Sequence, residues 1–398
     1  MCPSEVFEID PQQLALPQEV KFCTKCVMSN QRPRITFDEE GVCNACRFAE
    51  TKNKNIDWDL RRNQFQELCD RHRNKDGSWD VIVPCSGGKD SSRIAHQLKH
   101  EYGMHPLCVT FSPPVYSEIG WKNLRAFIDS GFDHILISPN GVVNKALTKF
   151  SFIHLGDHNE IFDHGQMAGP FKIAAKYNVP LVIYGENGEA EYGGTPDIDD
   201  KPGMPWEDFS RTYYSTGLDN LIDMTKQMGY FTEPVTDRSF DAYRMPPIEE
   251  LERLGIEMHW FGYYHFWIPQ ENYYYAAKHT GFEANPNGRT TGTYSKYAQL
   301  DDQTDSFLYF MMFVKYGFGR TTSDAAHEVR DGHITRDEAV ELVRRYDGEF
   351  PEKELDVFLS YLNINLDEFW EIVDKFRLPH IWTKKNNDWK LQDAVYFD

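Results

Sequence analysis

Seven consecutive residues, Ser86-Gly87-Gly88-Lys89-Asp90-Ser91-Ser92, follow an apolar run from Val81 to Val83 and lead into a helical pattern from Asp90 to about Tyr102. A Gly-rich turn between strand and helix exposes consecutive backbone N–H groups beside the positive end of the helix dipole, which makes a cradle for an oxyanion. The hydroxyls of Ser86, Ser91 and Ser92 add donors to the same concavity. The spacing of a Walker loop is absent, so the cradle is of another kind. A tight turn of small residues is the plain structural alternative.

A second set of residues suits a metal. Cys23, Cys26, Cys43 and Cys46 fall as C-x₂-C-x₁₆-C-x₂-C, the spacing of a four-thiolate zinc site built from two knuckles. Four protein ligands leave no open position, so such a metal is structural. An iron–sulfur cluster and a redox dithiol pair are the competing readings. Lys25, Arg32, Arg34 and Arg47 lie close by and would soften the charge of the thiolates. Cys85 and Cys108 sit in strand-like apolar runs as small hydrophobes. Cys2 would be the nucleophile of one glutaminase class, but the chain ahead of the Gly-rich loop is too short for that domain, and the role is rejected.

The elements that must position these groups follow from periodicity. Strand 80–85, helix 90–102, strand 105–111, helix 117–130, strand 133–138, helix 141–150, a helical region near 165–178 and strand 180–184 alternate. That rhythm predicts an α/β fold with a doubly wound parallel sheet. Ligands bind beyond the carboxyl ends of such strands, so Ser86–Ser92, Thr110–Pro114, Ser138–Asn140 and Gly185–Asn187 are expected around one crevice. The expected domains are a loosely held arm over 1–20, a zinc ribbon over 21–50, the catalytic domain over 51–270 and a mainly helical region over 271–398. Residues 57–73 form an amphipathic helix entering the catalytic domain. Residues 188–247, with Gly193-Gly194, Pro196, Pro202, Pro205 and Pro246-Pro247, form a long insertion of the kind that serves as a substrate loop. Residues 256–267 are expected as a strand and 271–280 as a helix, and Thr335 with Glu338 forms a capping box. The tail from Pro379 shows no clear period.

The 42 Lys and Arg against 62 Asp and Glu leave a net charge of −20, which repels a phosphate backbone and makes nucleic acid a poor partner. No apolar run has the length of a membrane span and no leader is visible, so a cytoplasmic protein is expected. Aromatics crowd the second half, among them Tyr192, Trp206, Tyr213, Tyr214, Trp260, Trp267 and Tyr273 to Tyr275. Packing accounts for most of them, and a few could stack on a sugar or base.

The string Ser-Gly-Gly-Lys-Asp-Ser resembles the pyrophosphate loop (PP-loop) of the ATP-pyrophosphatase superfamily, whose fold is adenine nucleotide α-hydrolase-like. Three further stretches accompany it: the ribbon with Ile35–Cys46, Tyr184–Gly194, and Lys315–Thr321. Together they resemble the N-acetyl sugar amidotransferases of bacterial surface-glycan biosynthesis, which act in lipopolysaccharide O-antigen and pseudaminic acid pathways. The resemblance implies a ligase-type reaction with ATP and Mg²⁺. An acetamido oxygen attacks the α-phosphate, pyrophosphate leaves, and ammonia displaces AMP to give an acetamidino sugar. It implies that Ser86, Gly87, Gly88, Ser91 and Ser92 hold the pyrophosphate. Asp90 caps the helix or holds Mg²⁺, and Lys89 faces solvent. Glu186 and Glu189, ahead of Glu191, bind Mg²⁺ or take a proton from ammonium, with a solvated acidic loop as the alternative. Lys315 and Arg320 reach the phosphates, or else serve as helix caps. Arg289 is a weaker candidate for a sugar carboxylate or phosphate, and His154, His158 and His164 are structural or surface residues. The substrate would be a nucleotide-activated acetamido sugar, with ammonia supplied by a separate glutaminase and its cyclase-like subunit.

Two rivals remain. A tRNA-modifying enzyme of the same fold, thiolating or ligating, is disfavoured by the charge of −20 and the acidic 186–191 loop. A zinc-binding scaffold that merely holds nucleotide is separated from an enzyme by AMP formation.

Overall fold

The computed structural model describes residues 11–194, 201–205 and 217–397. Cys2, Pro196, Trp206, Tyr213 and Tyr214 lie outside them. Five strands form one parallel sheet: β1 (Val81–Pro84), β2 (Pro106–Phe111), β3 (Asp133–Ile137), β4 (Leu181–Tyr184) and β5 (Glu257–Trp260), in the order β3-β2-β1-β4-β5. β1 therefore sits between β2, which follows it, and β4, which leaves the sheet on the other side. This is the topological switch point expected of a doubly wound sheet.

The central strands β1, β2 and β4 are mostly apolar and buried because helices cover both faces, while the outer strands carry polar residues, Asp133 and His134 in β3 and Glu257 and His259 in β5. Val81, Val83 and Ile183 pack with Phe65, Ile94, Leu98 and Phe127 from helices Trp58–His72, Lys89–His100 and Glu118–Asp129. Ile82, Leu107 and Val182 point the other way, onto Phe171 and Ala174 of helix Glu160–Tyr177.

Two helices run longer than the periodicity suggested. Helix Gly141–Leu155 starts at Asn140, whose side chain accepts from Val142 N at 3.0 Å, and buried Phe150, Phe152 and Leu155 carry it to Gly156 at φ 62°. Helix Glu160–Tyr177 begins five residues early, with His164 buried on its inner face. The strand expected over 256–267 ends at Trp260 and continues as the helical turn Phe261–Tyr264. The chain turns there because Gly262 N donates to Gly185 O at 3.0 Å, and a Cβ on Gly262 would lie 3.2 Å from Glu186 Cα.

The described part of the insertion is packed structure. Leu221, Ile222, Phe240 and Tyr243 close over Phe111, Val143 and Phe150. The described part of the N-terminal arm is held as well, because buried Gln13 donates to Lys315 O at 3.0 Å and to Phe376 O at 2.9 Å. The C-terminal region is helical, with helices Asp305–Tyr316, Arg320–Arg330, Arg336–Tyr346, Leu355–Leu362 and Leu366–Lys375. The Thr335–Glu338 capping box is present. The tail adds a hairpin, β6 (Trp382–Lys385) and β7 (Asp388–Leu391), turned by Asn386 and Asn387 at φ 53° and 68°. Two successive positive φ values are what a two-residue hairpin turn requires, and Asn tolerates them. Ribbon and C-terminal helices share one core, in which Cys23, Cys43 and Val42 meet Phe318, Ala325, Ala339 and Val343. Among the described residues, no helix is long and apolar enough to cross a membrane.

Gly87 stands at φ +79°, and a Cβ there would fall 2.5 Å from Leu124 Cα. Gly87→Ala is expected to cost about 1–3 kcal/mol of stability from backbone strain alone. Gly141→Ala is the control, because nothing lies within 4 Å of the added carbon. Thermal denaturation of the two variants checks the difference.

Candidate active site at the switch point

The Ser86–Ser92 loop leaves the carboxyl end of β1, and helix Lys89–His100 begins directly after Gly88, which caps it without a side chain. The first-turn N–H groups therefore face outward from a buried strand end. Ser91 Oγ donates to Gly88 O at 3.3 Å, and Asp90 is oriented by Asn272, whose Nδ2 donates to its Oδ1 at 2.7 Å. Lys89 pairs with Asp90 and is mostly covered, so it does not face solvent as expected. The Tyr297 ring lies 5.6 Å from the Lys89 amine. Ser92 is fully buried behind the loop.

The loop divides two chambers. One, of about 450 Å³, lies over the sheet and is lined by Cys85, Ser86, Ser91, Thr110, Phe111, Asp163, Tyr184, Gly185, Asp302 and Asp305. The other, of about 480 Å³, lies toward the ribbon and is lined by Arg32, Gly87, Lys89, Asn123, Tyr192, Tyr297, Tyr309, Arg320 and Asp324. Ser86, Gly88, Asp90, Glu186, Gln299 and Asp301 border both. Ser138–Asn140, expected at the crevice, lines neither, because β3 is an outer strand. The segment 299–305 takes that place, with Ser117 N donating to Asp301 O at 3.0 Å. Gly120 permits the approach, since a Cβ there would lie 2.3 Å from Asp301 Cα.

Burial, reinforced by Asp90, holds the Glu186 carboxyl above its ordinary range. Tyr192 OH donates to Glu186 Oε1 at 3.1 Å. Burial also raises Asp301 and Asp305, and pushes Asp302 to about 7. Arg320 Nε donates to Asp324 at 2.7 Å and its Nη1 to Gln299 at 2.9 Å. Burial works against the Arg320 charge, and Asp324, Tyr309 and Tyr192 outweigh it, so its pKa is raised.

The acidic stretch after β4 is split between two jobs. Glu186 faces the chambers. Glu189 is bound at two points by Arg34 of the ribbon, with Nη2 to Oε1 at 2.6 Å and Nε to Oε2 at 3.3 Å, and it lines neither chamber. Glu191 is buried and accepts from Lys52 Nζ at 2.8 and 2.9 Å, and His327 Nε2 lies 3.2 Å away. Lys52 also donates to Trp267 O at 2.7 Å. His327 Nδ1 is 3.0 Å from Asp331. Burial opposes its charge, but the carboxylates of Asp331 and Glu191 prevail and raise its pKa. Burial likewise opposes the Glu191 charge, and Lys52 and His327 overcome it to bring its carboxyl down to about 2.

Lys315 lies away from the chambers. It is one turn past Met312, which still lines one, and its amine donates to Leu155 O at 2.9 Å. Arg289 is also elsewhere, paired with Glu349 at 2.6 Å. His154 bonds Tyr230 OH at 2.9 Å, and His158 and His164 are buried.

The four cysteines converge. Their sulfurs lie within 4.8 Å of one another, with Cys23–Cys46 at 3.9 Å and Cys26–Cys43 at 3.8 Å. A tetrahedron with Zn–S of about 2.3 Å has S···S edges of about 3.8 Å, so the donor set fits structural zinc. Backbone N–H groups of Lys25, Met28 and Cys43 donate to these sulfurs at 3.3–3.4 Å. The nearby charges differ from expectation. Lys25 and Arg47 pair with Asp38, Glu40 and Glu50, Arg34 pairs with Glu189, and Arg32 lines the ribbon-side chamber. Arg330, from the C-terminal region, supplies the positive field at the thiolates.

Residues that sequence reasoning missed are Arg32 as a chamber residue, Asn123, Gln299, Asp301, Tyr309 and Asp324. Asp301 and Gln299 sit in no recognisable motif. Arg32 carried a signal, being a cation beside a metal knuckle, but its direction is set only by packing.

Glu191→Gln removes the anion facing Lys52 and is expected to cost about 3–5 kcal/mol at neutral pH. The Glu191 pKa falls from 4.5 to about 2 on folding, so its stabilisation is complete above pH 4.5 and is lost as pH falls through about 2. Denaturation of wild type and variant should therefore show a gap at neutral pH that widens as pH falls through the raised His327 pKa to 6.5 and closes in acid as Glu191 is protonated. Metal analysis should find about one zinc per chain and no iron-type visible absorption. Cys43→Ser should lose the metal and lower the melting temperature.

Residues 291–396 match the family model described as "LPS biosynthesis protein WbpG-like, C-terminal domain". No curated protein matches the chain. The match covers the helices that supply Arg320, Asp324 and His327, and it ties this region to WbpG-like proteins of lipopolysaccharide biosynthesis.

Proposed function

We propose that this chain is an AMP-forming N-acetyl sugar amidotransferase that converts the acetamido group of a nucleotide-linked sugar to an acetamidino group in lipopolysaccharide O-antigen biosynthesis. The observation that carries the reading is the Ser86–Ser92 loop, which opens at the switch point between two chambers in a chain whose C-terminal region matches an LPS-biosynthesis family.

In this reading the acetamido oxygen attacks the α-phosphorus of ATP, the bond to the bridging oxygen breaks, and pyrophosphate departs. An amide oxygen is a weak nucleophile, so rate depends on in-line placement and on neutralising the leaving group. The loop N–H groups with Ser86 and Ser91 hold the pyrophosphate, and Lys89 and Arg320 stand beside it. Mg²⁺, when bound, spreads the phosphate charge, and the oxygens of Asp90 and Asp301 suit it. Ammonia then adds to the imidate carbon, AMP leaves, and one proton is lost. Glu186 is the base for that proton, because it borders both chambers and burial raises the proton affinity of its carboxyl. Ammonia comes from a separate glutaminase with a cyclase-like subunit, and the nucleotide substrates place the reaction in the cytoplasm. Glu189 and Lys315 act here as positioning residues, through Arg34 and Leu155.

Incubation with ATP, Mg²⁺, an ammonium salt and UDP- or CMP-linked acetamido sugars should release AMP and yield a sugar with one oxygen replaced by NH. Asp90→Ala should cut AMP formation by about 100-fold or more while circular dichroism stays native. Adenylated tRNA with every acetamido sugar unchanged would sink the reading in favour of a tRNA-modifying enzyme.

A further inference from the structure

The two chambers differ in the charge they offer a ligand. The sheet-side chamber is walled by Asp90, Asp163, Glu186, Asp301, Asp302 and Asp305, and among the described residues no Lys, Arg or His lines it. Carboxyl groups of this kind exchange hydrogen bonds with the amino group of a base or with ribose hydroxyls, but they offer a phosphate no countercharge. Of the two chambers, the ribbon-side one is where the described residues offer a second phosphate-bearing ligand cations.

Three cations line that chamber, and two are already matched. Lys89 is paired with Asp90, and Arg320 with Asp324. Arg32 is different. Among the described residues its one side-chain hydrogen bond runs from Nε to Gly193 O at 3.1 Å, and its guanidinium sits 5.8 Å from the Tyr192 ring centroid. Among the described residues no carboxylate lies within ion-pair distance of it. The neighbouring Glu189 is taken at two points by Arg34. With Nε fixed by a carbonyl, both Nη groups remain for a ligand, and the planar fork matches two oxygens of a phosphate. Burial lowers the Arg32 pKa to about 10, which still leaves it charged at neutral pH.

We propose that the ribbon-side chamber is the acceptor subsite and that Arg32, carried by the cysteine ribbon, binds the phosphate of the nucleotide-linked sugar. The inference rests on the function proposed above. It commits to phosphate over a sugar carboxylate because every nucleotide-linked sugar carries the former. The ribbon thereby becomes part of the substrate site, and its knuckle sets how far Arg32 reaches.

The test is calorimetric titration of the full chain, with Mg²⁺ and a saturating non-hydrolysable ATP analogue, by UDP, dTDP, GDP, CMP and glucuronate in turn. One of the four nucleotides should bind alongside the analogue. Arg32→Gln should weaken that nucleotide about tenfold or more and leave the analogue's affinity unchanged. Arg32→Lys, which keeps charge but loses the fork, should fall between the two and guards against a misfolded first variant. A merely structural role for Arg32 would lower the melting temperature without separating the two ligands. That result, an equal loss of the analogue, binding of none of the four nucleotides, or binding of glucuronate alone would overturn the proposal. Wild type that fails to bind the analogue would instead strike the ATP reading, and the nucleotide titrations repeated without it would still decide the role of Arg32.

Discussion

Lys52, Glu191 and His327 come from the helix that leaves the ribbon (Asn44–Lys54), the segment after β4 and the C-terminal region, and they meet in one buried charge cluster. Burying an ammonium and a carboxylate costs several kcal/mol each unless the partners are placed well. That penalty makes the cluster a constraint: the three segments must be seated together or a charge is stranded. Arg330 extends the tie, donating to Glu191 O at 3.0 Å while its charge faces the thiolates. The four-cysteine ribbon, the acidic loop and the C-terminal helices are therefore mechanically one body around the site.

This constraint explains how a run of three glutamates is divided. Glu191 is consumed by the cluster and Glu189 by Arg34, so Glu186 alone is presented to the chambers, with its carboxyl raised by burial. Gly194 completes the arrangement, since a Cβ there would lie 2.1 Å from Glu189 Oε2. The same docking carries Arg32 inward. A ribbon that looks like a detachable module is thus continuous with the wall of a chamber.

Most of the sheet was legible because a parallel strand buried on both faces is a short, unbroken apolar run, as Val81–Val83 and Leu181–Ile183 are. The boundaries that slipped have local causes: the Asn140 cap, the Gly262 turn against Gly185, and a hairpin whose two Asn residues were not recognised as a turn. The convergence of the cysteines was legible too, because thiolate spacing in two knuckles is nearly a geometric specification. Roles in the candidate site were less so. Glu189 and Lys315 are the types of residue that do chemistry, yet their charges are spent on Arg34 and on Leu155 O.

The sequence by itself determined the loop, the sheet that presents it and the four-cysteine ribbon, since each depends on the spacing of near neighbours. Only the tertiary structure decided that Asp301, some two hundred residues from the loop, borders it, and that Arg32 points inward while Lys315 points away. The reason is physical. A charged side chain goes where its desolvation is repaid, and the partners that repay it come from distant parts of the chain.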